Sequence, residues 1–115
     1  MKYTNDPSIA ELRFLTEQFG NNQAIIAGFF DVHRSSITRW LRGVDLPKPE
    51  NQMRIAALRL VLMRLSSVFN PSTGQKWLQG INAHLGNNRP IDLIKHGRIS
   101  EVLAAIEQTD AGSYA

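Results

Sequence analysis

The stretch QAIIAGFFDVHRSSITRWLRG, residues 23–43, decides the fold of this chain. Two short segments with helical apolar spacing are separated at Asp31, and Ala27 provides a small residue where two helices can cross closely. Four further apolar residues fall on the inner side of the two segments: Ile26, Val32, Ile37 and Trp40. A small crossing residue, a tight turn and inward apolar residues at this spacing are typical of a helix-turn-helix. The sequence therefore predicts this motif over residues 23–43.

The turn departs from the usual pattern, because Asp31 stands where glycine is common. Aspartate adopts the left-handed backbone conformation more readily than most residues, so we expect the turn to form at some cost in strain. The alternative interpretation is a pair of ordinary packed helices with a solvated arginine face.

The second predicted helix presents a polar and basic face, which is the composition that contacts bases and phosphates in a major groove. The candidate DNA-binding residues are His33, Arg34, Ser35, Thr38, Arg39 and Arg42. Arginine binds guanine through two hydrogen bonds, so we expect Arg34 and Arg39 to contact base edges. We expect Ser35, Thr38 and Arg42 to contact the DNA backbone. Operator DNA is thus an expected partner.

Apolar periodicity and capping residues predict helices along the rest of the chain. Further helices are predicted over residues 7–19, 50–69, 75–79, 90–96 and 100–108, followed by an extended tail over 109–115. The expected fold is all-α, with an N-terminal helix-turn-helix bundle, a long central helix and a small C-terminal helical domain. We place the division between residues 1–69 and 70–115. The long helix is apolar on more than one face, which predicts burial in the monomer or an oligomer interface.

Composition excludes several kinds of protein. The chain has 115 residues, no cysteine and a net charge of +3. Without cysteine there is no disulfide and no thiolate site. The N-terminus has no apolar signal core, and no long run of uncharged apolar residues occurs, so we expect a cytoplasmic protein with no membrane partner. Residues 31–64 carry seven basic against three acidic residues, which favours a polyanion at the first half.

Catalysis is not indicated by any pattern in the chain. The three histidines, His33, His84 and His96, lie apart from one another and outside metal-ligand spacing. No glycine-rich phosphate loop or nucleophile elbow occurs. We therefore predict a protein that is not an enzyme, with no catalytic residues, no metal site and no cofactor.

The C-terminal part of the chain carries a second pattern, centred on RPIDLI at residues 89–94 and the glycine that follows at Gly97. The further residues of this pattern are Trp77, Leu78, Asn82, Leu85, Gly86, Val102, Leu103 and Gly112. Residues 75–115 resemble the toxin-binding domain of the Xre/MbcA/ParS-type antitoxins of RES–Xre toxin–antitoxin systems. Members of that family commonly carry a helix-turn-helix upstream, in agreement with the first half of this chain.

The resemblance implies that a cognate RES-domain toxin, which consumes NAD, is neutralised when this domain covers its active site. The matching elements here are the last helix and the tail. The implied toxin-binding residues are Arg98, Glu101, Ala111, Gly112, Ser113, Tyr114 and Ala115. An aromatic ring such as Tyr114 could stack in a nucleotide cleft in place of a base or nicotinamide.

Three functions remain open from the sequence. The first is an antitoxin that also represses its own operon, acting as a homodimer or in a larger toxin–antitoxin hetero-oligomer. The second is a helix-turn-helix transcriptional regulator whose C-terminal half only oligomerises. The third is a protein-interaction module whose helix-turn-helix no longer binds DNA.

Overall fold

A computed structural model describes residues 2–112 of the chain, with side chains described for residues 2–109. The predicted all-α class is confirmed: this part of the chain forms seven α-helices and one 3₁₀ turn at Ala83–Leu85. The helices are α1 (Pro7–Gln18), α2 (Gln23–Phe30), α3 (Arg34–Leu41), α4 (Pro49–Ser66), α5 (Pro71–Gln79), α6 (Pro90–Lys95) and α7 (Ile99–Gly112). None of the described helices is long and apolar enough to cross a membrane.

The chain divides into two compact units, Met1–Ala56 and Ala57–Ala115, so the division falls inside α4. In the first unit α3 packs against both α1 and α2. Its core contains Ile9, Leu12, Leu15, Phe19, Ile26, Ala27, Phe29, Phe30, Ile37, Trp40 and Ile55. This set includes the predicted crossing residue Ala27 and three of the four predicted inward residues; the fourth, Val32, is half-buried.

Side chains cap the first three helices at their N-termini. The carboxylate of Asp6 accepts a hydrogen bond from the Ser8 amide at 2.9 Å, and Asn22 accepts from the first amides of α2. His33 caps α3, because its Nδ1 atom accepts from the Ser35 amide at 3.2 Å. Such caps satisfy amides that have no partner within the helix.

The turn between α2 and α3 has the left-handed geometry that the sequence predicted at Asp31, with φ 57° and ψ 47°. The Val32 amide donates to the Ala27 carbonyl at 3.0 Å, and the Asp31 amide donates to the Gly28 carbonyl at 3.3 Å. This pair of bonds is the Schellman motif that commonly ends a helix at glycine. Aspartate therefore makes the turn, and α2 and α3 form a helix-turn-helix.

In the second unit α6 packs against α5 and α7, and α7 also contacts the 3₁₀ turn. Its core contains Leu58, Val61, Leu65, Leu78, Leu85, Ile91, Leu93, Ile94, Val102, Ala105 and Ile106. Three helix boundaries differ from the prediction by three or more residues. Helix α4 ends at Ser66 rather than at residue 69. Helix α5 begins at Pro71, because Asn70 caps the Thr73 amide at 2.9 Å. Helix α7 continues to Gly112, so residues 109–112 are helical rather than extended.

Candidate functional site

The outward face of α3 carries the six residues proposed from the sequence to bind DNA, and all six are exposed. Two of them have local partners within the motif. Besides capping α3, His33 contacts the Ser35 hydroxyl through Nδ1 at 3.0 Å. The Thr38 hydroxyl donates to the Gln23 side-chain oxygen at 3.4 Å and so links α3 to α2. This face is therefore held in place at its N-terminal end.

The arginines on this face differ in their surroundings. Arg39 donates from Nε to Asp45 at 2.6 Å, and this hydrogen bond, together with the carboxylate charge, raises the pKa of Arg39 above its ordinary value. Arg34 and Arg42 form no ion pair with any described residue. Of the two arginines expected to contact bases, only Arg34 is thus unengaged in the structure, whereas Arg39 must exchange its partner first.

Two basic residues that the sequence did not predict, Arg13 and Lys2, belong to segments that contact the C-terminal end of α3. Arg13, on α1, donates from Nη2 to the Leu41 carbonyl at 3.0 Å. The N-terminal segment crosses the same end, because the Tyr3 amide donates to the Gly43 carbonyl at 2.9 Å. Lys2, the residue before Tyr3, belongs to this segment, and its Nζ atom lies 5.3 Å from the centre of the Tyr3 ring. These contacts join residues far apart in the chain, so no local pattern signals them.

Two matching arginine–carboxylate pairs mark the starts of α6 and α7. Arg89 binds Asp92 through Nε and Nη2, both at 2.9 Å. Arg98 binds Glu101 through Nε at 2.5 Å and Nη2 at 2.7 Å. In each pair the hydrogen bond from arginine lowers the carboxyl pKa below its ordinary value. The fork of the guanidinium matches a carboxylate in two places, which fixes both side chains at the helix start.

The predicted toxin-binding residues lie in two kinds of position. Arg98 and Glu101 are exposed at the start of α7, where Glu101 also borders a cleft of about 210 Å³ with His84, Leu85 and Gln108. Ala111 and Gly112 lie in the last turn of α7. Ser113, Tyr114 and Ala115 lie outside the described residues.

Helix α4 carries a line of exposed apolar residues. Met53 is 75% exposed, Leu60 38% and Met63 56%. With exposed Ala56 they follow a spacing of three, four and three residues, and they lie opposite the buried face formed by residues such as Leu58. We call Met53, Ala56, Leu60 and Met63 the α4 stripe. Within the described residues, no group of three histidine and acidic side chains could hold a metal ion.

The fold and these faces define a small, all-helical protein built on a helix-turn-helix. The chain is 32% identical over 96 residues to the probable mycobacterial cidal antitoxin Rv3188 of Mycobacterium tuberculosis, an alignment that covers 84% of this chain and 82% of that protein. It is 26% identical over 98 residues to the mycobacterial cidal antitoxin MbcA of Mycobacterium bovis, covering 85% and 87% of the two chains. The chain belongs to the family of the mycobacterial cidal antitoxins. No family model and no solved structure matches it.

Proposed function

We propose that this chain is an antitoxin that binds a cognate RES-domain toxin and blocks its NAD-consuming active site with the C-terminal domain. The observation that carries the proposal is membership of the antitoxin family, since the 32% identity extends over 84% of this chain and so includes both halves. The pattern around RPIDLI supports a RES-type partner by resemblance. Arg98 and Glu101, two of the proposed toxin-binding residues, are exposed and bind each other at the start of α7, so they can present a single polar patch to the toxin.

In this proposal the end of α7 enters the toxin cleft, with Tyr114 stacked where a base or nicotinamide would bind. The test is deletion of residues 112–115, with NAD consumption by the purified toxin as the measurement. The truncated chain should still form the complex but no longer inhibit the toxin. Tyr114→Phe is the matched control and should still inhibit, because the ring is retained. Full inhibition by the truncated chain in a formed complex would disprove this role of the tail.

We further propose that α2 and α3 bind operator DNA, so that the antitoxin represses its own operon. Arg34 is exposed and forms no ion pair with any described residue, which supports base contact at the start of α3. Fluorescence anisotropy with a duplex from the region upstream of the gene provides the test. Arg34→Ala should flatten the sequence preference at one base pair, at a cost of about 1–3 kcal/mol for the preferred base. An unchanged preference would remove this assignment.

Assembly into a homodimer or a larger hetero-oligomer is the third part of the proposal, and the α4 stripe supports it. Large apolar side chains at a spacing of three and four residues are the pattern by which helices pair. Leu60→Asp should shift the chain to monomer in sedimentation analysis, whereas Ser66→Asp, on an exposed flank of the same helix, should not. A folded oligomer of Leu60→Asp would count against the stripe as the interface.

The competing function is a transcriptional regulator whose C-terminal half only oligomerises, and the same stripe is compatible with it. Co-expression with the neighbouring gene separates the two functions. An antitoxin restores growth that the neighbouring gene product arrests, and Arg34→Ala retains this rescue because DNA binding is not needed for neutralisation.

A further inference from the structure

The N-terminal segment is fastened to the end of α3 by backbone contacts. The Tyr3 amide donates to Gly43, and the Asp6 amide donates back to the Tyr3 carbonyl at 3.0 Å. Gly43 has φ 72°, and a Cβ atom there would lie 2.9 Å from the Thr4 nitrogen. Only glycine allows this approach without a shift of the segment. Lys2 is therefore held next to the end of α3.

Arg13 reaches the same place from α1. Its Nη2 atom binds the carbonyl of Leu41, the last residue of α3, where the helix dipole is negative and favours a cation. Arg13 is exposed. One N–H of a guanidinium that has five is used in this bond, so the others can bind a further acceptor.

Arg42 is the residue that caps the C-terminus of α3, and it is exposed. Among the described ion pairs, the only carboxylate that contacts any cation at this end of the helix is Asp45, which binds Arg39. Lys2, Arg13 and Arg42 thus belong to three segments that meet at the end of α3, and no described ion pair joins any of the three to a carboxylate.

We propose that Lys2, Arg13 and Arg42 form a phosphate-binding corner for the backbone of double-stranded DNA, with Gly43 as a positioning residue. The inference rests on the proposed DNA binding by α3 and extends it from a single helix to a site built from three segments. Helix α3 is about 12 Å long, so the corner lies at the opposite end of the helix from Arg34 and can bind a phosphate while Arg34 contacts base edges. Lysine and arginine are the side chains that release counterions from such phosphates.

The experiment measures anisotropy of the full chain with two labelled duplexes, one from the region upstream of the gene and one of scrambled sequence, across a salt series. Each phosphate contact contributes about 0.9 to the slope of log K against log salt, which corresponds to about an eightfold change in Kd between 0.1 M and 1 M salt. Lys2→Gln combined with Arg13→Gln should lower the slope by about 1.8 and weaken binding on the order of 60-fold at 0.1 M salt, equally for both duplexes.

The controls separate loss of a contact from loss of the fold. Lys76→Gln removes the same charge from an exposed site on α5 and should leave the slope unchanged. Arg13→Lys keeps the charge and should retain most of the slope. Gly43→Ala keeps every charge but displaces the segment with Lys2, so the slope should fall by about 0.9. Circular dichroism verifies that each variant is folded.

The outcomes distinguish this inference from the function on which it rests. If the parent chain binds with a steep salt slope and the double variant keeps that slope, the corner is disproved while DNA binding stands. If the parent binds neither duplex, DNA binding and the corner both fail. A double variant that binds DNA normally but loses the toxin complex would place an acidic protein surface at the corner and overturn the proposal.

Discussion

Gly43→Ala tests the backbone geometry at the end of α3 through the free energy of unfolding. An alanine at the observed φ of 72° is strained by about 1–2 kcal/mol. Alanine also makes the unfolded chain less flexible than glycine does, and this favours the folded state by about 0.4–1 kcal/mol, which offsets part of the strain. The new Cβ also lies 2.9 Å from a backbone atom of Thr4, so the N-terminal segment must move and lose the Tyr3–Gly43 hydrogen bond, worth about 0.5–1.5 kcal/mol. Together these contributions give a net destabilisation of about 0.5–3 kcal/mol.

Gly28→Ala is the matched control. Gly28 lies exposed inside α2 without a positive φ, and a Cβ there would meet no atom within 4 Å. The same chemical change should therefore stabilise the chain by about 0.5–1 kcal/mol, because alanine loses less conformational freedom in a helix than glycine.

Urea unfolding followed by circular dichroism measures both effects, and hydrogen exchange of the Tyr3 amide reports on the segment separately. Gly43→Ala should speed this exchange, whereas Gly28→Ala should not. The reasoning would be refuted if both substitutions changed the free energy of unfolding in the same direction, or if Gly43→Ala left the exchange rate of the Tyr3 amide unchanged.

Three further predictions concern aspartates. Asp31→Gly should raise the free energy of unfolding by up to about 1 kcal/mol, because it relieves the left-handed strain; a lower melting temperature would contradict this. Asp45→Asn should release Arg39 for the base contact expected of it and strengthen the preference at one base pair by up to about 3 kcal/mol, and an unchanged preference would show that Arg39 contacts no base. The folded-state pKa of Asp92 is lowered below 3.8, so its stabilisation is present above that value and is lost as pH falls through the folded pKa. Asp92→Asn should therefore cost at most about 1 kcal/mol at pH 7, and this cost should shrink as the pH falls into the acid range; a cost that does not shrink in acid would exclude this origin.

Much of the fold could be predicted because its signals are local. The left-handed turn at Asp31 and the small residue Ala27 were both identified from neighbours in the sequence, and the structure confirms their positions. The predicted helix over residues 50–69 ends just before Asn70-Pro71, and a capping asparagine followed by proline is also the start of a helix. That second interpretation would have placed the start of α5 correctly.

The candidate site could be predicted less completely, because its contacts join distant segments. Arg13 and Leu41 are 28 residues apart, and only the packing of α1 on α3 brings them together. Likewise, the ion pair between Arg39 and Asp45 depends on the path of the loop after α3. The sequence predicts an extended tail over residues 109–115 because these residues are mostly small and polar, yet α7 continues through Gly112.

The exposed methionines of the α4 stripe give the chain a built-in chemical reporter. Met53 and Met63 present thioethers to solvent, and peroxide converts a thioether into a polar sulfoxide. In the proposed assembly both sulfur atoms become buried, so mass spectrometry after a brief peroxide pulse would count the chains that are paired at that moment. Oxidation of a separated chain would also place polar groups along the stripe and hinder its return to the assembly. An oxidant would then weaken the assembly of the chains and leave the fold of each chain intact.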